Sequence, residues 1–450
     1  MIEFESENAL EYNNRGLDYA DLEQYEQAIE AFSKAIDLDP NFSQPYKNRG
    51  WTYYNLDQPN RSIEDYNKAI ALDPEDAFSY NNRGLAYADL EQYEQAIEDY
   101  NKAIALDSDF SWPYKNRGWA YYKFRQPNRS IEDYNKAIAL DPEDAFSYSN
   151  RGLAYAYSEQ YEQAIESYNK AIALDPNLSL FYTNRGWIYD KLGESDRSIE
   201  DYNKAIELDP EDVIAYDNRA AAYSDLEEYN RAIEDYEKAI ELDPENALTY
   251  YNRGLVYTDL EQYNRAIEDY SKAIELDPGY APAYNNCGAA YTDLEQYQRA
   301  VEDFNKAIEL DPEDVIAYNN RGKVYGYLEE YNRAIEDYDK AIGLNPEDAL
   351  AYVNRGKAYG YLGEHDRAIE SFDKAIELDP EYAVAYNSRG TAYSKLEEYH
   401  RAIEDFDKAL DLDPEYALAY YNRGEAYGYL GEYNRSIESL GKITEIDLEM

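Results

Sequence analysis

The chain has 450 residues, with 94 Asp and Glu against 43 Lys and Arg, and a formal net charge of −51 at pH 7. That balance argues against a protein that tracks nucleic-acid phosphates, which needs a basic surface, and disfavours an anionic membrane surface for the same reason. No run approaches the roughly 18 apolar residues of a membrane helix, and a single cysteine, Cys287, leaves no intrachain disulfide framework or Cys-rich metal site.

The first eight residues, MIEFESEN, form an acidic leader without the basic and apolar regions of a signal peptide, so a cytoplasmic location is expected. From Ala9 a string of 34 residues then recurs thirteen times, without insertion, as far as Met450. The third copy, starting at Ala77, places Tyr80, Gly84, Tyr87, Ala96, Tyr100 and Ala103 at positions 4, 8, 11, 20, 24 and 27. Small residues stand where two helices must approach closely, and tyrosines where the space between them must be filled. One repeat alone could not bury such a face. The spacing predicts helix A over positions 1 to 14, a turn at 15 to 17 and helix B over 18 to 31. Proline at position 32, as in Pro74 and Pro142, ends helix B because it lacks an amide donor. An Asp at the end of the loop, such as Asp144, is placed to cap the next helix A.

This pattern of aromatic, small and proline positions resembles the tetratricopeptide repeat (TPR), over nearly the whole chain. The resemblance implies an all-α, right-handed TPR superhelical solenoid of 13 helix-turn-helix repeats, with 26 helices and no strand. We read residues 9–450 as a single solenoid after a leader at 1–8. Residues 9–212 are built from 68-residue repeat pairs, since Trp51, Trp119 and Trp187 occupy position 9 in the even copies and Leu17, Leu85 and Leu153 in the odd ones.

At 100° per residue, positions 4, 8 and 11 share one side of helix A and positions 2, 6, 9 and 13 the other. In TPR arrays the second stripe lines the concave groove. Position 6 is Asn14, Asn48, Asn82, Asn116, Asn150, Asn184, Asn218, Asn252, Asn286, Asn320, Asn354 and Asn422, interrupted only by Ser388. An amide offers both a donor and an acceptor, so such a column could pair with the backbone of an extended peptide whatever its side chains. It is similar to the asparagine ladder in the TPR arm of O-linked N-acetylglucosamine transferase. The alternative is that each Asn bonds within or between repeats and has been copied by duplication. Position 2, mostly apolar (Leu10, Phe78, Trp112, Phe146 and their equivalents), is expected to pack between neighbouring A helices. Trp51, Trp119 and Trp187, with Lys47 and Lys115 at position 5, mark the first half of the groove as the place to anchor partner side chains, the alternative being that the indoles fill inter-repeat space. The Lys/Asn/Lys/Arg clamp by which some TPR cochaperones hold acidic chaperone tails is not assembled.

Arg stands at position 7 in every copy except the ninth, which has Cys287. Its stem is expected to pack while its guanidinium meets a carboxylate, and Cys287 is expected to be a buried spectator. No phosphate loop, nucleophile elbow or His/Cys ligand spacing occurs. No carboxylate is singled out from its copies, so no catalytic residue, metal or cofactor is expected. The reading is a non-enzymatic scaffold that holds an extended peptide or disordered segment of a protein, with basic or apolar side chains, in the groove. A structural spacer or self-assembling rod is the alternative. Self-association through the C-terminal repeat is also expected, because its helix B carries Leu440, Gly441 and Ile443 out of pattern and no covering helix follows in the sequence.

Overall fold

The computed structural model describes the backbone of residues 2–449 and the side chains of residues 9–443. Within those limits every regular element is an α-helix, 26 in all, from Ile2–Asp21 to Tyr433–Glu449. The first helix begins at Ile2, so the leader is continuous with helix A of the first repeat.

In the third repeat helix A spans Ala77–Asp89 and helix B Tyr93–Leu106, each ending one residue before the expected boundary. For helix A the reason is position 15, which has a positive φ in every repeat, for example Glu91 at 57° and Gly193 at 71°. A left-handed residue there stops helix A, and the chain turns back so that the Gln92 amide donates to the Tyr87 carbonyl at 2.9 Å. Only Gly193, Gly363 and Gly431 meet that φ with the residue that adopts it freely. Position 17 then opens helix B. Pro59 and Pro127 fit there because the first residue of a helix needs no amide donor. The expected caps form at Asp76, Asp212 and Asp314, whose side chains accept from backbone amides of the helix that follows each, whereas the Asp144 side chain makes no bond to a backbone amide and accepts from the Ser147 hydroxyl instead.

The helices group into two units, Met1–Glu228 and Tyr229–Met450. Within each, a helix A packs on its own helix B, on the preceding helix B and on the next helix A. The core repeats with the sequence. Tyr100, Ala96 and Ala103 are fully buried, and a Cβ on Gly84 would stand 2.7 Å from Cε1 of Tyr100, closer than carbon atoms tolerate. Glycine at position 8, found in every copy except the seventh with its Ala220, lets the ring at position 24 lie flat against helix A.

Position 7 performs the structural role expected of it. Arg83 Nε donates to Asp99 Oδ2 at 2.7 Å and Nη2 to Asp99 Oδ1 at 2.5 Å, while Nη1 reaches Asn67 Oδ1 at 2.6 Å on the preceding helix B. One guanidinium thus ties three helices together. The bidentate pair recurs at Arg49, Arg117, Arg185, Arg253, Arg321 and Arg389. Cys287 is 2 % exposed and lies against Asp303, the carboxylate that an arginine would otherwise neutralise. Burial and that neighbouring charge push its thiol pKa well up, which keeps it an unreactive thiol.

Candidate functional site

The stripe of helix A turned away from helix B differs from expectation at position 2. Leu10, Trp112 and Phe146 are about half exposed, and Ile214 is 63 % exposed. Neighbouring A helices meet through polar side chains instead, so an apolar residue at position 2 finds a partner on one side only, as Phe146 does edge-on to Phe181 at 5.7 Å.

Those polar contacts consume much of the asparagine column. Asn48, Asn116, Asn320 and Asn422 each donate Nδ2 to a position-5 asparagine of the preceding helix A, namely Asn13, Asn81, Asn285 and Asn387, at 2.9 to 3.2 Å. Asn286 donates to Tyr251 Oη at 2.9 Å. Asn82 is 1 % exposed and accepts from Asn81, so it cannot reach a ligand and leaves the candidate set. Asn14 is exposed, and Asn150, Asn184, Asn218, Asn252 and Asn354 are half-buried. The sequence carried the signal in the Asn-Asn pairs at positions 5 and 6, which a reading of position 6 alone passed over.

The two lysines are also committed. Lys47 pairs with Asp76 at 3.2 Å and Lys115 with Asp144 at 3.0 Å, each partner being the N-cap residue of the next helix A. They position that residue rather than offering a free charge. The tryptophans do remain accessible: Trp51, Trp119 and Trp187 are 40, 37 and 39 % exposed. Each is held by a neighbour on its own helix. Trp51 stacks on Tyr54 at 5.4 Å and Trp119 on Tyr122 at 5.5 Å, while the ammonium groups of Lys123 and Lys191 lie over Trp119 and Trp187. Indoles fixed in this way lose little side-chain entropy when a partner covers them.

Four of the predicted residues converge. Lys115, Asn116, Trp119 and Asn150 line one open depression of about 410 Å³, together with Tyr54, Leu85, Ala88, Asp89, Tyr100 and Phe146. Its one carboxylate is Asp89, which burial pushes above the ordinary carboxylate range. Beside it the Tyr54 hydroxyl is pushed up to about 12, by burial first and by Asp89 second. Among the described residues no group of His, Cys, Asp or Glu side chains is arranged to hold a metal ion. Nor is any described helix long and apolar enough to cross a membrane.

Antiparallel helix pairs of fixed length, stacked through recurring small and aromatic positions and presenting one polar and aromatic face, define a helical repeat protein. The chain belongs to the tetratricopeptide repeat family. That family's profile matches residues 9–42, 43–76, 77–110, 111–144, 145–178, 179–212, 247–280, 315–348, 349–382 and 383–416. Further TPR profiles match 222–260 and 288–328, and 201–234 and 406–438. No curated protein sequence matches the chain. Among solved structures it is similar to YrrB, described as a TPR protein with an unusual peptide-binding site, at 33% identity over 42% of this chain and 96% of that one, with a TM-score of 0.36. MamA is similar at 28% identity over 38% of this chain and 93% of that one, TM-score 0.35. The Cut9-Hcn1 hetero-tetramer of the APC/C is similar at 16% identity over 91% of this chain and 95% of that one, TM-score 0.46.

Proposed function

We propose that the chain is a non-enzymatic protein-protein interaction scaffold of the cytoplasm, and that its Met1–Glu228 unit holds an extended segment with basic or apolar side chains. The observation that carries this reading is the depression around Trp119. It combines a half-exposed, pre-positioned indole with Phe146 and Leu85 for apolar side chains, and with Asp89 as the single charge able to meet a cation. Such a site gains most from the aromatic anchors, and the amides set register.

The test uses a fluorescein-labelled peptide of alternating arginine and leucine, amidated at its C terminus. Replacing Trp119 or Trp187 by Ala should weaken binding roughly 30-fold each, as for an anchor of about 2 kcal/mol. Raising the salt should slow association more than it speeds release. Asn116→Ala should weaken binding and also cost about 1 kcal/mol of stability, because the bond to Asn81 is lost. Affinity indifferent to both tryptophans would remove the groove reading and leave the spacer.

We further read the last helix as a self-association face, since Tyr433 and Ile437 are each 69 % exposed on it. Met450 lies outside the described residues. In sedimentation equilibrium Ile437→Glu should lower the average mass at a given concentration. A wild-type chain that stays monomeric at high concentration would overturn this reading.

A further inference from the structure

The Tyr229–Met450 unit contains a second depression, of about 360 Å³, formed by the last three repeats. Its origin is a local loss of bulk. Gly360, Ser388 and Thr391 line it at positions 12, 6 and 9, where the second repeat carries Tyr54, Asn48 and Trp51. Nothing stands within 4 Å of where a Cβ on Gly360 would lie. The single break in the asparagine column is therefore also the place where the stripe opens.

The charge of this opening is the reverse of the chain's. In a protein with 94 carboxylates, none lines it, whereas Lys357 and Lys395 both do. Lys47 and Lys115 are neutralised by aspartates and Lys123 and Lys191 lie over indoles, but Lys357 and Lys395 make no ion pair within 4 Å and no hydrogen bond among the described residues. His365 lines the same depression and has a buried Nδ1 without a hydrogen-bond partner. Beside these donors lies Leu418, 52 % exposed. Desolvation by the walls holds the Lys357 ammonium below its ordinary pKa, so an arriving anion would recover the solvation that the concavity removes.

We propose that this depression binds a Glu or Asp side chain of an extended acidic and apolar segment of a partner protein, with Lys357 and Lys395 on the carboxylate and Leu418 against the neighbouring apolar residue. The site is separate from the Trp119 groove and takes the opposite charge. Its recognition is local: beyond a Debye length of roughly 10 Å at 0.1 M salt the chain's overall negative charge is largely screened, whereas the lysines act at contact distance.

The probe is a fluorescein-labelled peptide of alternating glutamate and leucine, amidated at its C terminus, with the corresponding glutamine peptide as control. The glutamate peptide should bind at least tenfold more tightly than the glutamine peptide, and Lys357→Gln with Lys395→Gln should weaken it roughly ten- to hundredfold while leaving the circular dichroism spectrum unchanged. The same double variant should bind the arginine-leucine peptide like the wild type, and Trp119→Ala should bind the glutamate peptide like the wild type, so each site can fail independently. Equal affinity for glutamate and glutamine peptides, or indifference to the lysine replacements, overturns the proposal. So does binding that requires a free terminal carboxylate.

Discussion

Raising the pH to one unit above the tyrosine range is expected to unfold the Met1–Glu228 unit before the Tyr229–Met450 unit. Position 24 is a buried ring in the first twelve repeats, and in the first unit it is Phe32 followed by Tyr66, Tyr100, Tyr134, Tyr168 and Tyr202, each at most 1 % exposed. In the second unit, Phe304, Phe372 and Phe406 take several of these places and Tyr236, Tyr270 and Tyr338 the others, of which Tyr270 and Tyr338 are held well above their ordinary pKa by burial. Burial raises the phenols of the five in the first unit and of Tyr270 and Tyr338, because a phenolate would have to form in the packed space between helices. The sign follows from linkage. The folded pKa lies above the unfolded value near 10, so the stabilisation is complete below pH 10 and is lost as pH rises through the folded pKa. At pH 11 each unfolded tyrosine gains about 1.4 kcal/mol from ionisation, which sums to about 7 kcal/mol over the five tyrosines of the first unit and about 3 kcal/mol over Tyr270 and Tyr338 of the second. A loss of that size is comparable with the whole stability of a typical domain, about 5–15 kcal/mol.

Hydrogen exchange followed against pH, with tyrosinate absorbance at the same points, measures this directly. Protection in helices B of repeats two to six should collapse together with a step in absorbance, while the helices around Phe304 and Phe406 stay protected. Tyr100→Phe with Tyr134→Phe should move the transition to higher pH. It should also stabilise the protein at neutral pH by about 1 kcal/mol per residue, because both hydroxyls are buried without a hydrogen-bond partner. Simultaneous loss of protection in the two units, or a transition unmoved by the Phe variants, would show that the buried phenols do not govern alkaline stability.

The fold was legible because its determinants are local and copied. Gly84, Ala96 and Tyr100 announce a close helix pair, and thirteen copies leave the pairing no alternative. The turn was less legible by one residue, since a left-handed position filled by Glu91 rather than glycine gives the sequence no mark. The site was legible in its aromatic part and misread in its polar part. An exposed tryptophan stays a tryptophan on the surface, but the availability of an amide or ammonium depends on what stands 29 or 35 residues away, as Asp144 does for Lys115 and Asn81 for Asn116. The same dependence hid the second depression, which exists because three small side chains and two unpaired lysines from different repeats fall together.

Replacing Arg83 by leucine, the commoner residue at this position in TPRs, is expected to destabilise the Met1–Glu228 unit by about 3–5 kcal/mol, since removing one partner of a buried pair leaves the other charge uncompensated. Asp99, whose side chain is 7 % exposed, would be that charge. Its pKa shows the balance already: burial pushes the carboxylate up, and the bidentate Arg83 only partly opposes this. Arg83→Leu with Asp99→Leu should recover most of the loss, because an apolar pair of similar volume avoids desolvation on both sides. A double-mutant cycle on urea unfolding reads the coupling. Repeat nine is the natural form of the single variant, with Cys287 opposite an Asp303 whose Oδ2 is buried without a partner. Cys287→Arg should therefore stabilise the Tyr229–Met450 unit by about 1–3 kcal/mol at pH 7 through charge-assisted bonds to that carboxylate. Burial places the folded pKa of Asp303 above its unfolded value, so the wild-type chain loses stability there as pH rises from the unfolded pKa through the folded one. The gain from Cys287→Arg should accordingly be small near pH 3 and grow to its full size at neutral pH. A gain that is independent of pH, or a loss, would mean that the space beside Asp303 does not accept the guanidinium as the other repeats do.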